Sequence, residues 1–289
     1  MTLRTANFLN GITIAENIFK NLQEEITLLK TKGITPGLGT ILVGEDAASA
    51  GYVRKKRETC KQLGINSFHA DIPASASQKD LLEQIHQFNQ NPDIHAFIIQ
   101  NPLPNGFDFN DALSHMKPEK DADGLHPNNL GKLVLQQAGP RPCTPAGIIE
   151  MLNFYNIETK GKHAVIIGRG PTLGRPLSLM LSMKAKGANA AVTVVHSAIP
   201  NIQDYTKNAD IVISAIGVAN FVKPNMVKEG VIAISGGLSW EGKKLIPDID
   251  EAVGEKAAWI TPRLGGVGPT TVALLLENTV KAAKAQHPI

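Results

Sequence analysis

Short runs of apolar, largely β-branched residues alternate along this chain with segments of helical periodicity. Helical patterns at 49–63, 79–89 and 177–186 separate strand-like runs, which occupy residues 38–43, 65–72, 95–100, 163–168, 191–196 and 211–216. Strands that alternate with helices pair in parallel, because each helix carries the chain back across the sheet in a right-handed crossover. The pattern therefore predicts an α/β protein built on parallel sheets.

A proline-rich stretch divides the alternating pattern into two halves. Residues 101–144 contain six prolines and precede a helix predicted at 145–155. The 289 residues suffice for two domains of about 150 residues each. We expect one domain to comprise residues 1–120 and 271–289, and the other to comprise residues 121–270. The last predicted helix, at 270–285, is strongly apolar and is expected to pack back on the first domain.

Composition excludes several classes of protein. Hydrophobic residues make up 43% of the chain and charged residues 19%, which is incompatible with intrinsic disorder. The net charge of +3 and the aromatic content of 5% argue against a nucleic-acid-binding protein. No apolar run approaches the roughly 20 residues of a membrane span, and the N-terminus lacks the apolar core of a secretory signal. Two cysteines without CxxC spacing and eight scattered histidines predict a reducing, cytoplasmic location and no protein-bound metal.

A glycine-rich turn links the strand predicted at 163–168 to the helix that follows it. Gly168, Arg169, Gly170 and Gly174 form a GxGxxxG pattern. Between a strand and a helix, such glycines permit a tight turn and let backbone N–H groups approach a pyrophosphate at the helix N-terminus. The turn therefore predicts a dinucleotide-binding, Rossmann-like domain. Its spacing is one residue longer than GxGxxG, so an ordinary turn with packing glycines is the alternative.

The end of the next predicted strand bears on the choice of dinucleotide. NAD sites usually carry Asp or Glu there, about 20 residues beyond the glycines, where the carboxylate binds the ribose. This chain has His196 and Ser197 at that point and no carboxylate. Together with Arg169, these residues favour the 2′-phosphate of NADP over NAD. The alternative is an exposed strand end that binds no ligand.

One lysine in the helix predicted at 49–63 faces away from the other basic residues around it. Positions 52, 56, 60 and 63 share a helix face that reads Tyr52, Lys56, Cys60 and Leu63. A lysine on a partly buried face among other cations is expected to have a lowered pKa and to transfer protons. Lys56 is therefore a candidate general acid or base. The alternative is a lysine that only extends its amine along the core to solvent.

Several further motifs occur in a specific order along nearly the whole chain. They read VGEDAAS (43–49) before Tyr52 and Lys56, QNPLP (100–104), KDADGLHP (120–127), PCTP (142–145), GRG (168–170), HS (196–197) and GGVGPTT (265–271). Alone, the loops at 120–127 and 265–269 read equally well as ordinary turns. In order and spacing, the motifs together resemble the bifunctional methylenetetrahydrofolate dehydrogenase/cyclohydrolase family.

The resemblance implies an architecture, two reactions and several partners. The expected fold is two-domain α/β, with an N-terminal catalytic domain that binds folate and a Rossmann-like domain that binds NADP. The expected reactions are oxidation of 5,10-methylenetetrahydrofolate to the methenyl form with NADP, and hydrolysis of that form to 10-formyltetrahydrofolate. The implied partners are tetrahydrofolate derivatives and a second copy of the chain in a homodimer, without nucleic acid or membrane.

The resemblance also implies roles for individual residues. Lys56 transfers the proton in hydrolysis, Gln100 holds Lys56, Tyr52 stacks on the folate, and Asp123 bonds the pterin. The other implied substrate contacts are Ile98, Gly268, Pro269 and Thr271. The implied cofactor contacts are Gly168, Arg169, Gly170, Gly174, His196, Ser197 and Leu238.

Departures from the usual family pattern fall mainly in segments that approach the dinucleotide. Gly170 stands where the family usually has Ser, Ser235 where it has Asp, and Arg263 and Leu264 where it has Val and Pro. A cyclohydrolase with weak or altered dehydrogenase activity is therefore an alternative function. A shikimate-type hydroxy-acid dehydrogenase and a non-catalytic dinucleotide sensor are two further alternatives.

Overall fold

The computed structural model describes residues 6–44, 47–242 and 244–287, and it divides into two compact units. Of these residues, the three-stranded unit comprises Asn17–Arg141 and 272–287. The six-stranded unit comprises residues 6–16 together with Pro142–Thr271. Within the described ranges, no helix combines the length and the apolar character needed to cross a bilayer.

Strands and helices alternate along most of the chain, which confirms the predicted α/β class. The strands are β1 (Asn7–Phe8), β2 (Gly37–Val43), β3 (Asn66–Ile72), β4 (Ala96–Ile99), β5 (His163–Ile167), β6 (Ala191–Val195), β7 (Ile211–Ser214), β8 (Ile232–Ser235), β9 (Leu238–Glu241), β10 (Lys244–Pro247) and β11 (Trp259–Ile260). The α-helices are α1 (Gly11–Thr31), α2 (Ala47–Leu63), α3 (Gln78–Gln90), α4 (Phe109–His115), α5 (Pro127–Val134), α6 (Cys143–Phe154), α7 (Gly174–Ser182), α8 (Gln203–Thr206) and α9 (Val267–Gln286).

Parallel strands in the order β3–β2–β4 form the sheet of the three-stranded unit. β2 is buried along its whole length, and Phe97 of β4 packs edge-to-face on Phe88 of α3 with ring centroids 5.5 Å apart. The C-terminal part of α9 belongs to this unit, where Lys284 pairs with Glu25 of α1 at 2.7 Å. The predicted return of the C-terminal helix to the first domain is thereby confirmed.

The six-stranded unit contains one parallel sheet in the order β1–β11–β8–β7–β5–β6 and an antiparallel hairpin of β9 and β10. After β5 forms, the chain adds β6 on one side of it, at the edge of the sheet, and β7 on the other side. Connections that leave neighbouring strands in opposite directions open a crevice at the carboxyl ends of those strands. The topology therefore places the natural ligand position of this unit at the ends of β5, β6 and β7.

Two predicted domain limits differ from the unit boundaries. The first junction lies at Arg141/Pro142, because residues 120–122 are bonded into the three-stranded unit. Asp121 forms a parallel bridge with Phe97, and the Lys120 amine bonds the Asn91 carbonyl at 2.7 Å. Residues 6–16 belong to the six-stranded unit, because β1 pairs with β11 at its edge.

The sequence prediction also missed whole elements. It assigned no helix to α1, although apolar residues recur there every three or four positions and are all buried in the structure, namely Ile14, Ile18, Leu22, Ile26 and Leu29. The stretch 101–144, expected to be a loop, contains α4 and α5. The β9–β10 hairpin was not predicted, and α7 begins at Gly174 and ends at Ser182 instead of spanning 177–186.

A buried histidine ties the C-terminus to the sheet of the three-stranded unit. His95 Nδ1 accepts a hydrogen bond from Gly37 N at 3.0 Å, and His95 Nε2 lies 3.2 Å from Nε2 of His287. Burial, then the charges of His287 and Lys120, lower the pKa of His95 below its ordinary 6.5, against a smaller opposing effect of Asp93. The folded state therefore resists protonation of His95.

Acidification is expected to destabilise the protein through this histidine. The pKa of His95 is lower in the folded state than in the unfolded state. The contribution of neutral His95 to the free energy of unfolding is therefore complete above pH 6.5, and it is lost as the pH falls from there towards the folded-state pKa. Thermal melts between pH 7.5 and pH 5 will show the loss. The His95→Asn variant keeps an acceptor for Gly37 N without a titrating ring, so it should melt with a shallower pH dependence. Equal slopes for the two proteins would contradict this role of His95.

Candidate active site

A pocket of about 800 Å³ lies at the carboxyl ends of β5, β6 and β7, where the topology predicts a ligand. Five predicted cofactor residues line it, namely Gly168, Arg169, Gly170, His196 and Ser197. Among the residues recorded in its lining, Arg169 is a cation and none is a carboxylate. The pocket is therefore suited to a ligand that carries negative charge.

Backbone contacts require glycine at two of the three glycine positions in the turn. Gly168 has φ +116°, and a Cβ there would lie 2.6 Å from the Ala215 carbonyl oxygen. A Cβ on Gly174 would lie 2.3 Å from the Gly168 carbonyl oxygen. By contrast, no described atom lies within 4 Å of a Cβ placed on Gly170. Gly174 thus closes the turn from behind the pocket, whereas Gly170 faces open space and leaves room for a larger residue.

Arg169 reaches across the pocket mouth to the end of β6. Its Nη1 atom lies 3.3 Å from Nε2 of His196, and Ser197 follows on the exposed strand end. His196 Nδ1 also lies 3.3 Å from the Ala198 nitrogen, and because a neutral imidazole has one acceptor nitrogen, each tautomer accepts only one of these two hydrogen bonds. The structure thus brings Arg169, His196 and Ser197 together as a polar rim with a fixed positive charge.

The apolar wall of the pocket was missed in the sequence. Ile199 and Ile202 follow β6, and Phe221 and Met226 follow β7; all four line the pocket. The signal that could have found them is the run of large apolar residues in segments with no strand or helix periodicity. Such a wall suits the planar, apolar rings of a dinucleotide.

Residues that depart from the family pattern have defined positions in the six-stranded unit. Ser235 is buried and its hydroxyl donates to the Gly237 carbonyl at 3.0 Å. Arg263 donates to the Leu245 carbonyl of β10 at 3.2 Å, and Leu264 is exposed. Leu238, a predicted cofactor contact, starts β9 and is not among the residues that line the pocket.

In the three-stranded unit, Lys56 of α2 meets Gln100 just beyond the end of β4. The Lys56 amine donates to Gln100 Oε1 at 2.9 Å. The Gln100 amide nitrogen donates to the Asn101 carbonyl at 2.9 Å, which orients the side chain so that its oxygen faces the lysine. A long, flexible amine is thereby held at one position at the carboxyl end of a parallel sheet. The predicted Lys56–Gln100 pair is present.

The helix face that carries Lys56 changes from exposed to buried along α2. Tyr52 is 41% exposed, Lys56 is half-buried, and Cys60 and Leu63 are buried. Burial raises the pKa of the Cys60 thiol to about 12, against the opposing effect of the Lys56 charge, and burial also raises the pKa of Tyr52. Both groups therefore stay protonated at neutral pH, so Tyr52 presents a neutral ring one turn from the Lys56 amine.

The loop that carries Asp123 is organised by its buried neighbour Asp121. The Asp121 carboxylate accepts from Gly124 N at 2.9 Å, His126 N at 2.8 Å and the Asn129 amide at 2.8 Å. Since Asp121 bridges to Phe97 of β4, the loop lies beside the strand that leads to Gln100. Asp123 itself is partly exposed.

The remaining predicted substrate residues lie in β4 and in α9. Ile98 is buried in β4, where it pairs with Thr40 of β2. Gly268, Pro269 and Thr271 lie in the first turns of α9, in the part of that helix that belongs to the six-stranded unit. Of the motif 43–49, residues 45–46 and the side chains of 47–49 lie outside the described residues.

Comparisons with known proteins agree with the two-unit architecture. Residues 9–123 match the family model for the tetrahydrofolate dehydrogenase/cyclohydrolase catalytic domain, and residues 142–287 match the model for the NAD(P)-binding domain of the same family. A relative from Syntrophotalea carbinolica, named bifunctional protein FolD, is 63% identical over 280 residues that cover 97% of each chain.

Two solved structures share the fold throughout. The bifunctional FolD enzyme, methylenetetrahydrofolate dehydrogenase/cyclohydrolase, from Campylobacter jejuni is 40% identical, with a TM-score of 0.92 over 97% of this chain and 99% of that one. The methylenetetrahydrofolate dehydrogenase-cyclohydrolase of Trypanosoma brucei, solved with NADP and an inhibitor, is 37% identical, with a TM-score of 0.93 over 99% of each chain. This chain therefore belongs to the tetrahydrofolate dehydrogenase/cyclohydrolase family.

Proposed function

We propose that this protein oxidises 5,10-methylenetetrahydrofolate to 5,10-methenyltetrahydrofolate with NADP and hydrolyses the product to 10-formyltetrahydrofolate. The observation that carries the proposal is the Lys56–Gln100 pair at 2.9 Å, in a chain that matches both domain models of the family. It is supported by the 63% identity to a relative named as bifunctional.

The residues of the six-stranded unit suit NADP. The glycine turn offers close backbone approach for a pyrophosphate, the Arg169 rim offers a cation for the 2′-phosphate, and the apolar wall offers cover for the rings. When bound, NADP accepts the hydride that leaves the methylene carbon of the folate. The resulting cation is stabilised by the two folate nitrogens, so this step needs orientation from the protein more than an acid.

Hydrolysis of the methenyl cation needs a group that moves protons, and Lys56 is our candidate. Water adds to the methenyl carbon and loses one proton. The bond from that carbon to one folate nitrogen then breaks, the nitrogen gains a proton, and the added hydroxyl loses its remaining proton as the formyl C=O bond forms, so that one proton is released overall. An amine held by Gln100 serves these proton transfers at one position. Tyr52 supplies a neutral ring for stacking, and Asp123 supplies an acceptor for the N–H groups of a pterin. Ile98, Gly268, Pro269, Thr271 and Leu238 remain proposed contacts.

The alternative of a cyclohydrolase with a weak dehydrogenase is not favoured. The departures that suggested it do not block the pocket, since Gly170 faces open space and Arg263 bonds the β10 carbonyl. Membership of the folate family also argues against the alternative of a shikimate-type hydroxy-acid dehydrogenase. An assay of methylenetetrahydrofolate with NADP or NAD, which follows both the reduced dinucleotide and the methenyl absorbance, tests the proposal. Methenyl hydrolysis without reduced NADP would revive the alternative.

The Arg169→Ala substitution is expected to weaken the binding of NADP by about tenfold to a hundredfold and the binding of NAD by less than about threefold. A hydrogen bond to a charged group contributes about 1.5–3 kcal/mol, and only NADP carries the 2′-phosphate. Dissociation constants for the two dinucleotides, measured by fluorescence titration, provide the comparison. An equal loss for both would remove Arg169 from the 2′-phosphate site.

We also propose that the protein forms a homodimer in the cytoplasm. Support for the dimer comes from two exposed apolar side chains of the six-stranded unit, Trp240 and Leu264. They lie on neighbouring segments, because Trp240 pairs with Leu245 and the Leu245 carbonyl accepts from Arg263. Support for the location comes from two buried thiols, Cys60 and Cys143. Light scattering of Trp240→Lys against the unsubstituted chain tests the dimer.

A further inference from the structure

A fully buried carboxylate organises one wall of the dinucleotide pocket without lining it. Asp248 has 0% exposure and follows β10. Its Oδ2 atom accepts from the Ser214 hydroxyl at 2.9 Å, Ile216 N at 2.9 Å and Gly217 N at 3.2 Å. Its Oδ1 atom accepts from Val218 N at 2.9 Å. Three consecutive backbone donors of the loop after β7 thus converge on one side chain.

The surrounding backbone is shaped to admit this carboxylate. A Cβ on Gly237 would lie 2.2 Å from Asp248 Oδ2, so position 237 accepts only glycine while Asp248 stays in place. Ser235, one of the departures from the family pattern, accepts from Asp248 N at 2.9 Å and so fixes the backbone that carries the carboxylate. Gly217 has φ +65°, a conformation that turns successive N–H groups to one side.

The loop held by Asp248 forms part of the pocket. Ala215, Ile216 and Val218 all line it. A Cβ placed on Gly168 would lie only 2.6 Å from the Ala215 carbonyl oxygen. The loop therefore packs directly on the glycine turn. Any movement of residues 215–218 changes the width of the pocket between the ends of β5 and β7.

We propose that Asp248 is a positioning residue for the dinucleotide. By gathering the N–H groups of residues 216–218 away from the pocket, it holds the loop against the glycine turn and sets the geometry that the cofactor meets. A neutral amide at this position would turn an NH₂ group towards at least one of these donors, and the loop would rearrange to separate them. The inference rests on the proposed NADP site.

The test compares Asp248→Asn with a matched carboxylate variant, Asp210→Asn. Asp210 accepts from His163 N at 2.8 Å and from Lys228 at 2.7 Å, at the opposite end of β5, and it does not line the pocket. For Asp248→Asn we expect the dissociation constant of NADP and its KM to rise about tenfold or more, with methenyl hydrolysis within about twofold of the unsubstituted enzyme. For Asp210→Asn we expect a lower Tm with NADP binding unchanged.

A gentler variant covers the case in which Asp248→Asn does not fold. Ser214→Ala removes one of the four donors to Asp248 and leaves the three backbone donors, so NADP binding should weaken about threefold to tenfold with hydrolysis intact. An unchanged dissociation constant in either foldable variant, or a parallel loss of NADP binding and hydrolysis, would overturn the positioning role. A failure of the proposed function is distinguished by the unsubstituted enzyme, which would then not bind NADP. A failure of the Asp248 role would instead leave NADP binding intact in the unsubstituted enzyme, while the variants showed either unchanged NADP binding or that parallel loss.

Discussion

Replacing Lys56 with Met is expected to lower methenyl hydrolysis by about a hundredfold to ten-thousandfold. Proton transfer by a positioned side chain contributes a factor of that size, and Met keeps most of the volume of the side chain without an amine. Gln100 is only partly buried, so solvent can replace the donor that its Oε1 atom loses at 2.9 Å, and the fold should persist. Hydrolysis followed by the decay of methenyl absorbance, together with folate binding, gives the measurement.

The neighbouring Lys55→Met variant is the control for lost charge. Lys55 lies on the exposed side of the same helix, so its replacement removes a cation without touching Gln100. We expect hydrolysis within about twofold of the unsubstituted enzyme, as for most exposed substitutions. If Lys56→Met hydrolyses the methenyl substrate at the rate of Lys55→Met, Lys56 does not transfer the proton. A lower affinity for folate at an unchanged rate would assign Lys56 to binding alone.

The Gly174→Ala variant is expected to weaken NADP binding by about tenfold to a hundredfold. The added Cβ would lie 2.3 Å from the Gly168 carbonyl oxygen and 2.8 Å from its carbon, and both belong to backbone that cannot rotate away. Relief of such overpacking costs about 1–3 kcal/mol and must displace the turn itself. Titration of NADP against the variant, with methenyl hydrolysis as an independent readout of the three-stranded unit, gives the measurement.

The same substitution at Gly170 provides the matched control. Its Cβ would meet no described atom within 4 Å, and its backbone does not require glycine, so Gly170→Ala should bind NADP within about threefold of the unsubstituted enzyme. Gly170→Ser, which restores the usual family residue, should be equally well tolerated. Should Gly170→Ala and Gly174→Ala bind NADP alike, the steric account of the turn would be wrong.

The elements that could be predicted are those specified by neighbouring residues. The alternation of strands and helices, the glycine turn and the face of Tyr52 and Lys56 all depend on spacings of a few residues, and each is present in the structure. The failures have equally local causes. α1 has an apolar periodicity that was overlooked, and α5 lies in a proline-rich stretch in which Pro127 occupies the first helical position, where proline is accepted.

The sequence by itself determined which backbone conformations and helix faces this chain can adopt, and the order of its motifs determined its family. Only the tertiary structure decided which distant residues meet. Asp248 is one of 26 acidic residues and carries no pattern of its own, yet it binds Ser214 and residues 216–218 across about 30 positions. The physical reason is that a buried carboxylate is stable only where several donors converge, and those donors come from segments that the fold alone brings together.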